Sequence, residues 1–546
     1  MGIIVVIAVA IGLFMDNNSG KNNNDLSPNK LVESSRIAAI DKFETQFCGN
    51  NTNPNSNQYV TEYVLPTRCE MPLGIAVDNN ATKVWYISTK NGSLGSYNIK
   101  ENRFDQEYTI PIWKSRQNPI DSSQVWTVKV DRENNIWFTD EKQNSIWRYN
   151  SLLKTFEFFN IPGISESFGT TYPVSLDFDS SGNIYFVGIR STSLWFGNIT
   201  EMKNGTSDGI SQIPIPLQGF GDIDPDLIST GSLIVDKNNN SVWLSMLAFA
   251  KKGQIFKYDI NTKTFEIFNL PSDLNSPVGI ALDNNNSDLW ITDHGTSIFF
   301  KLDYSDRKIT KFVTSQASPR IFGRNSTSEE LAAAAPSVAA AYTLPYWINE
   351  GSNGSIWFNE HTGNKIAVFD PVNMTLIEYW IPTQNALFGQ CQPTNAKNCG
   401  IANLLQFAVG NNNEVWFSEW SENKIGRVDT YKDLPFSVSS SEKDVTIAKG
   451  KSAEIKLNLN ATSSSSSSSG QIINMIKSGT FTATGGLGNS TGSFSEESFS
   501  IVPGKSKQIS FIFTPSSDLK SGEYTLMVGA ENNAISYLKA IKINII

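Results

Sequence analysis

One segment form occurs seven times in the sequence, and this repeat limits the possible folds more than any other feature. Each copy begins with an aliphatic and then an aromatic residue, as in "VWYISTKNGSLGSYN" and "VWFSEWSENKIGRVD". Consecutive aromatic residues are 47 to 67 residues apart, which is typical of repeat architectures with one supersecondary unit per copy. The aromatic residues are Trp85, Trp137, Tyr185, Trp243, Trp290, Trp357 and Trp416.

Each copy predicts four short strands. A turn rich in Asn, Asp, Ser and Gly, such as "DNNATK" or "DSSGN", precedes the aromatic residue, and these residue types favour tight hairpins. An apolar run such as "GIAV" lies before most of the turns, and an aromatic-rich run such as "TFEFFNIP" follows most of the copies. Four strands joined by hairpins form one propeller blade.

The two ends of the repeat region predict how the ring closes. The seventh copy ends at Asp429 without an outer strand, whereas an unattached copy of that strand, "TEYVLP" at 61–66, precedes the first unit. We therefore expect an all-β fold in which a seven-bladed β-propeller is closed by an N-terminal strand and followed by a small β-sandwich domain.

Composition divides the chain into four predicted regions. Residues 1–27 are a signal peptide or signal anchor with a linker, and residues 28–58 are a partly helical extension. The propeller spans 59–432. Residues 433–546 alternate apolar and polar positions with regular turn signals, which predicts an Ig-like β-sandwich that acts as a spacer or adhesion module.

The N-terminus and the cysteines indicate export. The apolar run Gly2 to Met15 matches the core of a secretory signal and is shorter than the roughly 18 to 20 residues that span a bilayer. Four cysteines allow three pairings, and closeness in sequence favours disulfides Cys48–Cys69 and Cys391–Cys399. An extracellular or cell-surface location follows, with membrane attachment only through the N-terminal segment. Sequons, for example at Asn80 and Asn373, allow glycosylation of such a protein.

The charge of the chain excludes one class of partner. The net charge is -9, the pI is about 5.1, and no basic run occurs. Nucleic-acid binding depends on a concentrated Lys and Arg face that contacts phosphates. We therefore expect no nucleic-acid partner, and instead a small molecule, a glycan or a protein bound at a propeller face.

The pattern "WFxE...NKIGRVD", together with "P-x-GIA-x-D" and "EYxIP", resembles the virginiamycin B lyase family of streptogramin-inactivating propellers over about 59–430. The resemblance implies a seven-bladed ring with a site on one face near the central channel. It also implies Mg²⁺-assisted elimination that linearises a cyclic depsipeptide.

The residues that the family uses for this reaction are only partly matched. Tyr346 stands where the family has one His, and Leu405 or Gln406 stands where it has the catalytic His, with Asn403 near the acid position. The Glu at the metal-holding position is matched by Glu419. Because an elimination needs a base, and Leu or Gln cannot serve as one, we do not expect the streptogramin reaction here.

A sector of one face carries the remaining candidate residues. The loop between the second and third strands and the connection to the next blade open on the same face, so acids and histidines from adjacent blades are expected to meet there. An acid at this position, for example Asp140, can instead only stabilise its hairpin turn. The candidates are Glu360, His361 and Glu419 as catalytic residues, Glu360 and Glu419 as ligands of Mg²⁺ or Ca²⁺, and Asp293, His294, Tyr346, Trp347 and Trp420 as ligand-binding residues. Trp113 is expected beside them as a further exposed aromatic residue.

Three functions remain open on the sequence. The leading hypothesis is a secreted or membrane-tethered propeller that binds a ligand or partner on its loop-rich face. The second is a divalent-metal-dependent lyase or hydrolase that uses the Glu360, His361 and Glu419 sector on an unknown substrate. The third is a structural component of the cell envelope.

Overall fold

A computed structural model describes most of the chain. The described residues are 48, 54–113, 124–141, 143–163, 171–189, 191–283, 288–315, 342–385, 400–463, 470–477 and 487–546. The predicted signal segment, most of the N-terminal extension, and the loop with the predicted disulfide Cys391–Cys399 lie outside these residues. No helix in the described ranges is both long enough and apolar enough to cross a membrane.

Seven antiparallel sheets form the propeller, as the repeat predicts. Blade 1 contains β2 (Pro72–Val77), β3 (Lys83–Ser88), β4 (Ser93–Asn98), β5 (Arg103–Phe104) and β6 (Tyr108–Thr109). Blade 2 contains β7 (Val128–Val130), β8 (Ile136–Asp140), β9 (Ser145–Asn150) and β10 (Thr155–Asn160). Blade 3 contains β11 (Pro173–Phe178), β12 (Ile184–Gly188), β13 (Ser193–Gly197) and β14 (Ile210–Pro214). Blade 4 contains β15 (Ile228–Asp236), β16 (Ser241–Ala248), β17 (Lys252–Asp259) and β18 (Thr264–Asn269).

Blades 5 to 7 complete the ring. Blade 5 contains β19 (Pro277–Asp283), β20 (Asp288–Asp293), β21 (Ile298–Leu302) and β22 (Ile309–Val313). Blade 6 contains β23 (Pro345–Glu350), β24 (Ile356–Glu360), β25 (Lys365–Asp370) and β26 (Thr375–Trp380). Blade 7 contains β27 (Leu404–Val409), β28 (Val415–Glu419), β29 (Lys424–Val428) and, from the start of the chain, β1 (Val60–Val64). Two short 3-10 helices, Gln218–Phe220 and Pro225–Leu227, precede blade 4.

The N-terminal strand closes the ring as predicted. β1 pairs with β29 in antiparallel register from Val60 opposite Val428 to Val64 opposite Lys424. The predicted disulfide between Cys48 and Cys69 is present and ties residue 48 to the start of blade 1. Because blade 7 takes its outer strand from the opposite end of the repeat region, no blade is left with an open outer position at the closure.

The blades are joined to one another mainly around the channel. Hydroxyl and amide side chains on or beside the first two strands of a blade donate to main-chain carbonyls of the next blade, for example Thr127 to Val174 at 2.7 Å and Ser418 to Leu73 at 2.8 Å. These bonds satisfy carbonyls that the blade's own sheet leaves open. The repeat tryptophans lie between blades, and six tryptophans in the ring are nearly fully buried: Trp137, Trp147, Trp195, Trp243, Trp290 and Trp416.

The C-terminal region forms the predicted sandwich, and one of its sheets continues blade 6. The strands are β30 (Phe436–Ser440), β31 (Asp444–Ile447), β32 (Ala453–Ala461), β33 (Gln471–Lys477), β34 (Thr491–Phe494), β35 (Ser498–Ile501), β36 (Ser506–Thr514), β37 (Gly522–Glu531) and β38 (Ile535–Ile545). β38 pairs with β26, so blade 6 and part of the sandwich share a nine-stranded sheet. The second sheet has the order β30-β32-β36-β34.

The shared sheet fixes the sandwich to the ring. Met527 and Leu538 pack in one apolar cluster with Phe312 and Phe369 of blades 5 and 6, and the indole N–H of Trp380 donates to Ser536 Oγ at 3.1 Å. The sandwich is therefore packed directly against the propeller. An Ig-like topology and the predicted domain boundaries stay predictions.

Candidate functional site

The two histidines lie side by side on the loop-rich face. His294 follows β20 and His361 follows β24, so each occupies the loop between the second and third strands of its blade. Their rings are stacked with centroids 5.6 Å apart and an interplanar angle of 12°. Residues 67 positions apart in the sequence are thus neighbours, because adjacent blades present the same loop to the same sector of the ring.

Tyr346 connects these histidines to the far side of the ring. Its ring stacks on that of His294 at 4.1 Å and meets the Trp126 ring edge to face at 6.0 Å. Trp126 precedes the inner strand of blade 2, whereas Tyr346 belongs to the inner strand of blade 6. Since these blades face each other across the channel, the side chains fill its loop-face end. We call Trp126, His294, Tyr346 and His361 the aromatic plug.

The prediction of an exposed aromatic mouth on this face is wrong. Trp113, Tyr346, Trp347 and Trp420 are only 4 to 8% exposed. Trp113 donates from its indole N–H to Asp140 Oδ2 at 2.8 Å, and the others pack within the ring. Their apolar area is buried between blades, where it stabilises the fold.

The imidazoles of the plug are held in the neutral state. Burial, with a smaller effect of His361, lowers the pKa of His294 to about 3, and burial lowers the pKa of His361 to about 4. His361 Nε2 lies 3.3 Å from Asn403 Oδ1, and Nδ1 of both histidines has no hydrogen-bond partner in the described part of the chain. An imidazole with so low a pKa is a weak proton acceptor at neutral pH, so the plug is poorly suited to general-base catalysis.

Glu360 belongs to a buried cluster of one lysine and two glutamates in blade 6. Lys365 Nζ lies 2.9 Å from Glu378 Oε2 and 3.4 Å from Glu360 Oε2, and all three side chains are fully buried. Ser315 at the exit of blade 5 donates to Glu378 through its N–H at 2.7 Å. Burial, followed by the charge of Glu378, raises the pKa of Glu360 well above its usual range. This shift favours the protonated form of Glu360.

Glu419 occupies the same position in blade 7. Lys424 Nζ lies 2.9 Å from Glu62 Oε2 on the N-terminal strand, and Thr383 Oγ1 donates to the same oxygen at 2.6 Å. Burial, followed by the charge of Glu62, raises the pKa of Glu419 well above its usual range. We call the two clusters the blade 6 triad and the blade 7 triad. Each joins a blade to the exit of the preceding one.

The residues predicted to hold Mg²⁺ do not fit a metal ion. Each of Glu360 and Glu419 faces a lysine ammonium that already supplies the positive charge, and the two glutamates belong to separate triads. Within the described ranges, no three His, Cys, Asp or Glu side chains are arranged to hold a metal. The catalytic and metal roles of Glu360, His361 and Glu419 gain no support from this geometry and stay predictions.

Acids at the same repeat position in other blades stabilise turns. Asp293 accepts hydrogen bonds from the N–H groups of Ser276 at 2.9 Å and Gly295 at 3.0 Å. Asp140 accepts from the indoles of Trp113 and Trp147. Hydrogen bonds within the turn are enough to explain an acid at position 293. The ligand-binding role predicted for Asp293 gains no support from this geometry.

A cavity of about 340 Å³ opens at the other end of the channel. We call it the axial cavity. Inner strands of all seven blades line it, and residues next to the first hairpin turn of their blades, such as Asn79 and Asn411, mark its rim. It opens on the face that carries the first hairpin turn of each blade, which we call the hairpin face. This face is opposite the loop-rich face on which the sequence predicted the site. The polar side chains on its wall are Asn79, Thr127, Lys129, Ser175, Ser232, Asn349, Gln406 and Asn411, with the indole of Trp347.

Two side chains give the wall unused hydrogen-bonding capacity. Trp347 is 8% exposed, and its indole N–H has no partner among the described residues. Gln406 accepts from Ser418 Oγ through its main-chain oxygen, and this bond leaves the side-chain amide available. Among the described wall residues only Lys129 is charged, and its Nζ lies 3.8 Å from Asp177 Oδ1. Sequence reasoning proposed Trp347 as a binding residue on the wrong face. It noted Gln406 only as a substitute for a family His.

The fold and this site define a seven-bladed β-propeller with an axial cavity open at one end. No family model matches the sequence, and no curated protein matches it. Among solved structures, the chain is similar to a streptogramin B lyase, with 19% identity, a TM-score of 0.48, and coverage of 68% of this chain and 96% of that one.

Two further structures are similar in fold. Virginiamycin B lyase from Staphylococcus aureus matches at 18% identity and a TM-score of 0.47, over 67% of this chain and 98% of that one. The extracellular domain of a protein from B. thetaiotaomicron matches at 13% identity and a TM-score of 0.42, over 92% of this chain and 58% of that one. The seven sheets of this chain confirm the propeller fold that the repeat predicts.

Proposed function

We propose that this protein is an exported binding protein that takes a small uncharged polar molecule, such as a mono- or disaccharide, into the axial cavity. The indole N–H of Trp347 carries the proposal. Trp347 is one of the residues that line the cavity, and its indole N–H is buried without an acceptor among the described residues. An unmade hydrogen bond of a buried donor costs about 1 to 3 kcal/mol, and a ligand hydroxyl or carbonyl would supply the acceptor.

The size and lining of the cavity favour this ligand class. A volume of about 340 Å³ is at the small end of ligand pockets, which hold roughly 300 to 1,000 Å³. Amides such as Gln406 and Asn349 both donate and accept, as a polyhydroxylated ligand requires. Lys129 is the one charged side chain among the described wall residues, and it is near Asp177. A strongly charged ligand would therefore find few side chains of opposite charge to offset the loss of its hydration.

Binding without bond cleavage agrees with the chemistry around the channel. No described side chain of the axial cavity wall is His, Asp, Glu or Cys, the usual groups for proton transfer at neutral pH. The histidines lie in the aromatic plug with lowered pKa values. A metal-dependent lyase or hydrolase is therefore not the function we propose.

Export is part of the proposal. The disulfide Cys48–Cys69 fits an oxidising compartment, and the apolar run Gly2 to Met15 fits a secretory signal. A protein with these features would meet its ligand outside the cytoplasm. The sandwich, packed on blade 6, would hold the hairpin face of the ring in a fixed orientation at the cell surface.

The test is ligand binding by the full chain and one indole variant. Wild-type protein is screened by thermal shift against glucose, galactose, N-acetylglucosamine, lactose and neutral amino acids, and hits are measured by calorimetry. Trp347→Phe removes the donor and keeps an aromatic ring, so we expect affinity to fall about tenfold or more. Trp126→Phe is the matched control, because its buried indole N–H also lacks a partner but lies in the plug.

The proposal fails if neither sugars nor neutral amino acids bind. It also fails if Trp347→Phe and Trp126→Phe bind with the affinity of the wild type, or if both lose binding equally. Equal loss would indicate a site on the loop-rich face, as the sequence alone predicted.

A further inference from the structure

We propose that blade 1 binds a hard, oxygen-seeking cation, with Ca²⁺ as the probe, between Glu70 and Glu107. The site corresponds to the place where blades 6 and 7 hold a lysine ammonium between two glutamates. It is separate from the axial cavity, and the proposal does not depend on the function proposed above.

Strand register establishes the correspondence. Lys365 lies opposite Glu360 and Lys424 lies opposite Glu419, each as the first residue of a third strand. In blade 1 the same register position pairs Ser88 with Ser93. Ser93 therefore stands where the other two blades carry their lysine.

The outer-strand carboxylate is retained. Glu378 lies opposite Ala367, two residues after Lys365, and Glu62 lies opposite Gly426, two residues after Lys424. In blade 1, β6 pairs Ser93 with Thr109 and Leu94 with Tyr108, which places Glu107 at that position. Blade 1 keeps this acid and lacks the lysine that neutralises it elsewhere.

Glu70 supplies a second carboxylate to the same place. Its Oε1 accepts the N–H of Thr67 at 2.8 Å, whereas its fully buried Oε2 has no hydrogen bond to any described residue. Glu107 is the neighbouring carboxylate, because Ser88, which binds the main-chain oxygen of Glu70, lies opposite Ser93, which binds Glu107. Thr67 corresponds in register to Thr383, which binds Glu62 in the blade 7 triad. The threonine N–H is thus retained in blade 1, but it binds Glu70 instead of the outer-strand acid. Ser88 stands where blades 6 and 7 carry Glu360 and Glu419.

Hydroxyl groups complete an oxygen-rich environment. Ser93 Oγ donates to Glu107 Oε2 at 2.8 Å, and the phenol of Tyr86 lies 3.4 Å from Glu107 Oε1. Ser88 Oγ donates to the main-chain oxygen of Glu70 at 3.1 Å. Ca²⁺ takes 6 to 8 oxygen ligands from carboxylates, carbonyls and water, so two carboxylates with nearby oxygens and water suit it.

Two carboxylates in contact need either a proton or a cation between them. Neither Glu70 nor Glu107 forms an ion pair with Lys or Arg in the described part of the chain. Glu107 is partly exposed while Glu70 is fully buried, so an ion can enter from the Glu107 side. With only two carboxylates, we expect a Kd of roughly 10⁻⁴ to 10⁻³ M, the range of weak extracellular Ca²⁺ modules.

The first experiment uses the wild-type full chain at pH 7.5. After treatment with EDTA and dialysis, Ca²⁺ is titrated while Tm and heat of binding are followed, with K⁺ at equal ionic strength as the reference. We expect a saturable rise in Tm of a few degrees and one bound Ca²⁺. Flat titrations would overturn the proposal and leave a shared proton as the occupant.

Two variants separate the site from general charge effects. Glu107→Gln should lower Ca²⁺ affinity at least tenfold, whereas Glu101→Gln, an exposed acid of the same blade paired with Arg103, should leave it unchanged. Ser93→Lys should reproduce the arrangement of blades 6 and 7. We expect its Tm in EDTA to equal or exceed that of Ca²⁺-bound wild type and to be insensitive to Ca²⁺.

The variants can also refute the site. Unchanged Ca²⁺ affinity in Glu107→Gln would place the ion elsewhere. A Ser93→Lys protein that still gains stability from Ca²⁺ would show that the lysine position and the ion site differ. If Glu107→Gln fails to fold, the wild-type titration and Ser93→Lys still decide the matter.

Discussion

The two ends of the central channel differ in what fills them. At the loop face, the aromatic plug and the blade 6 and blade 7 triads pack large and charged side chains together with almost no exposure. At the hairpin face, inner-strand residues such as Val409 and Asn349 leave the axial cavity of about 340 Å³ open. Sequence reasoning located the function at the first end because titratable residues gather there.

The comparison shows that titratable residues can gather for structural reasons. A ring must close on itself, and both triads lie where blades 6 and 7 meet their neighbours, with Glu62 supplied by the closing strand. Buried charges demand partners, so the junctions collect Glu and Lys. The open end carries amides, hydroxyls and one indole N–H, which a sequence pattern does not distinguish from ordinary strand residues.

The largest expected effect concerns the blade 7 triad at the loop-face end. Lys424→Met removes the ammonium and leaves Glu62 and Glu419 buried without it, which should cost about 3 to 5 kcal/mol of unfolding free energy. Urea unfolding at pH 7 measures the loss. Lys432→Met is the control, because Lys432 is half exposed in its pair with Asp429 and should change stability by less than about 1 kcal/mol. A loss below 1 kcal/mol in Lys424→Met would contradict a closing role.

Shortening a side chain should lower the free energy of unfolding more at the plugged end of the channel than at the open end. Tyr346→Ala removes the ring that lies against His294 and Trp126, and we expect a loss of about 3 kcal/mol, as for other buried aromatic truncations. Val409→Ala, on the partly exposed wall of the axial cavity, should cost no more than about 1 kcal/mol. Equal losses in denaturant titrations of the two variants would remove the distinction between the ends.

The plug should also make the fold sensitive to acid. His294 and His361 have pKa values of about 3 and 4 in the folded protein, below the value of about 6.5 in an unfolded chain. The unfolded state therefore binds more protons below pH 6.5, and stability is lost as pH falls through the window from 6.5 towards 3. Asp293, whose pKa burial raises to about 6, acts in the opposite direction as pH falls from 6.

A variant isolates the histidine contribution. Between pH 7 and pH 5, His294→Phe should lose about 2 kcal/mol less unfolding free energy than the wild type, since one proton-linked group is gone. Denaturant titrations of both proteins at the two pH values give this difference. Identical pH dependence would mean that His294 is not held neutral by the plug.

The smallest effect on stability is expected at the cavity wall. Gln406→Leu should shift the free energy of unfolding by at most about 0.5 kcal/mol. Among the described residues, Gln406 accepts from Ser418 through its main-chain oxygen, and this bond does not depend on the side-chain amide. The same variant should weaken sugar binding at least tenfold by calorimetry. If Gln406→Leu strongly lowered the free energy of unfolding and left sugar binding unchanged, the hairpin-face end would be the structural end of the channel and not the binding end.

The fold was largely predictable from the sequence. Repeat aromatics such as Trp137 and Trp416 set the number of blades, and the orphan "TEYVLP" strand indicated where the ring closes. The pairing of β26 with β38, which extends blade 6 into the sandwich, was not predicted. Strands of either region can pair with many others, and sequence alternation does not specify which edge is covered.

The site was predictable only in part. Ring geometry correctly brought His294 and His361 together, because equivalent loops of adjacent blades share a face. Exposure was misjudged, since whether Tyr346 fills the channel depends on Trp126 across the ring. The surroundings of Glu360 were also missed, because the neighbouring Glu378 and the Ser315 N–H that binds Glu378 come from other segments of the chain.

By itself, the sequence determined seven blades, their order and the closing strand, because strand and turn patterns are local and repeat along the chain. Only the tertiary structure decided which end of the channel is filled and which is open. Whether an end is filled depends on the sizes of the side chains that meet there from non-adjacent blades. The pKa of a buried carboxyl such as Glu360 or Glu70 likewise depends on which charges the fold places beside it.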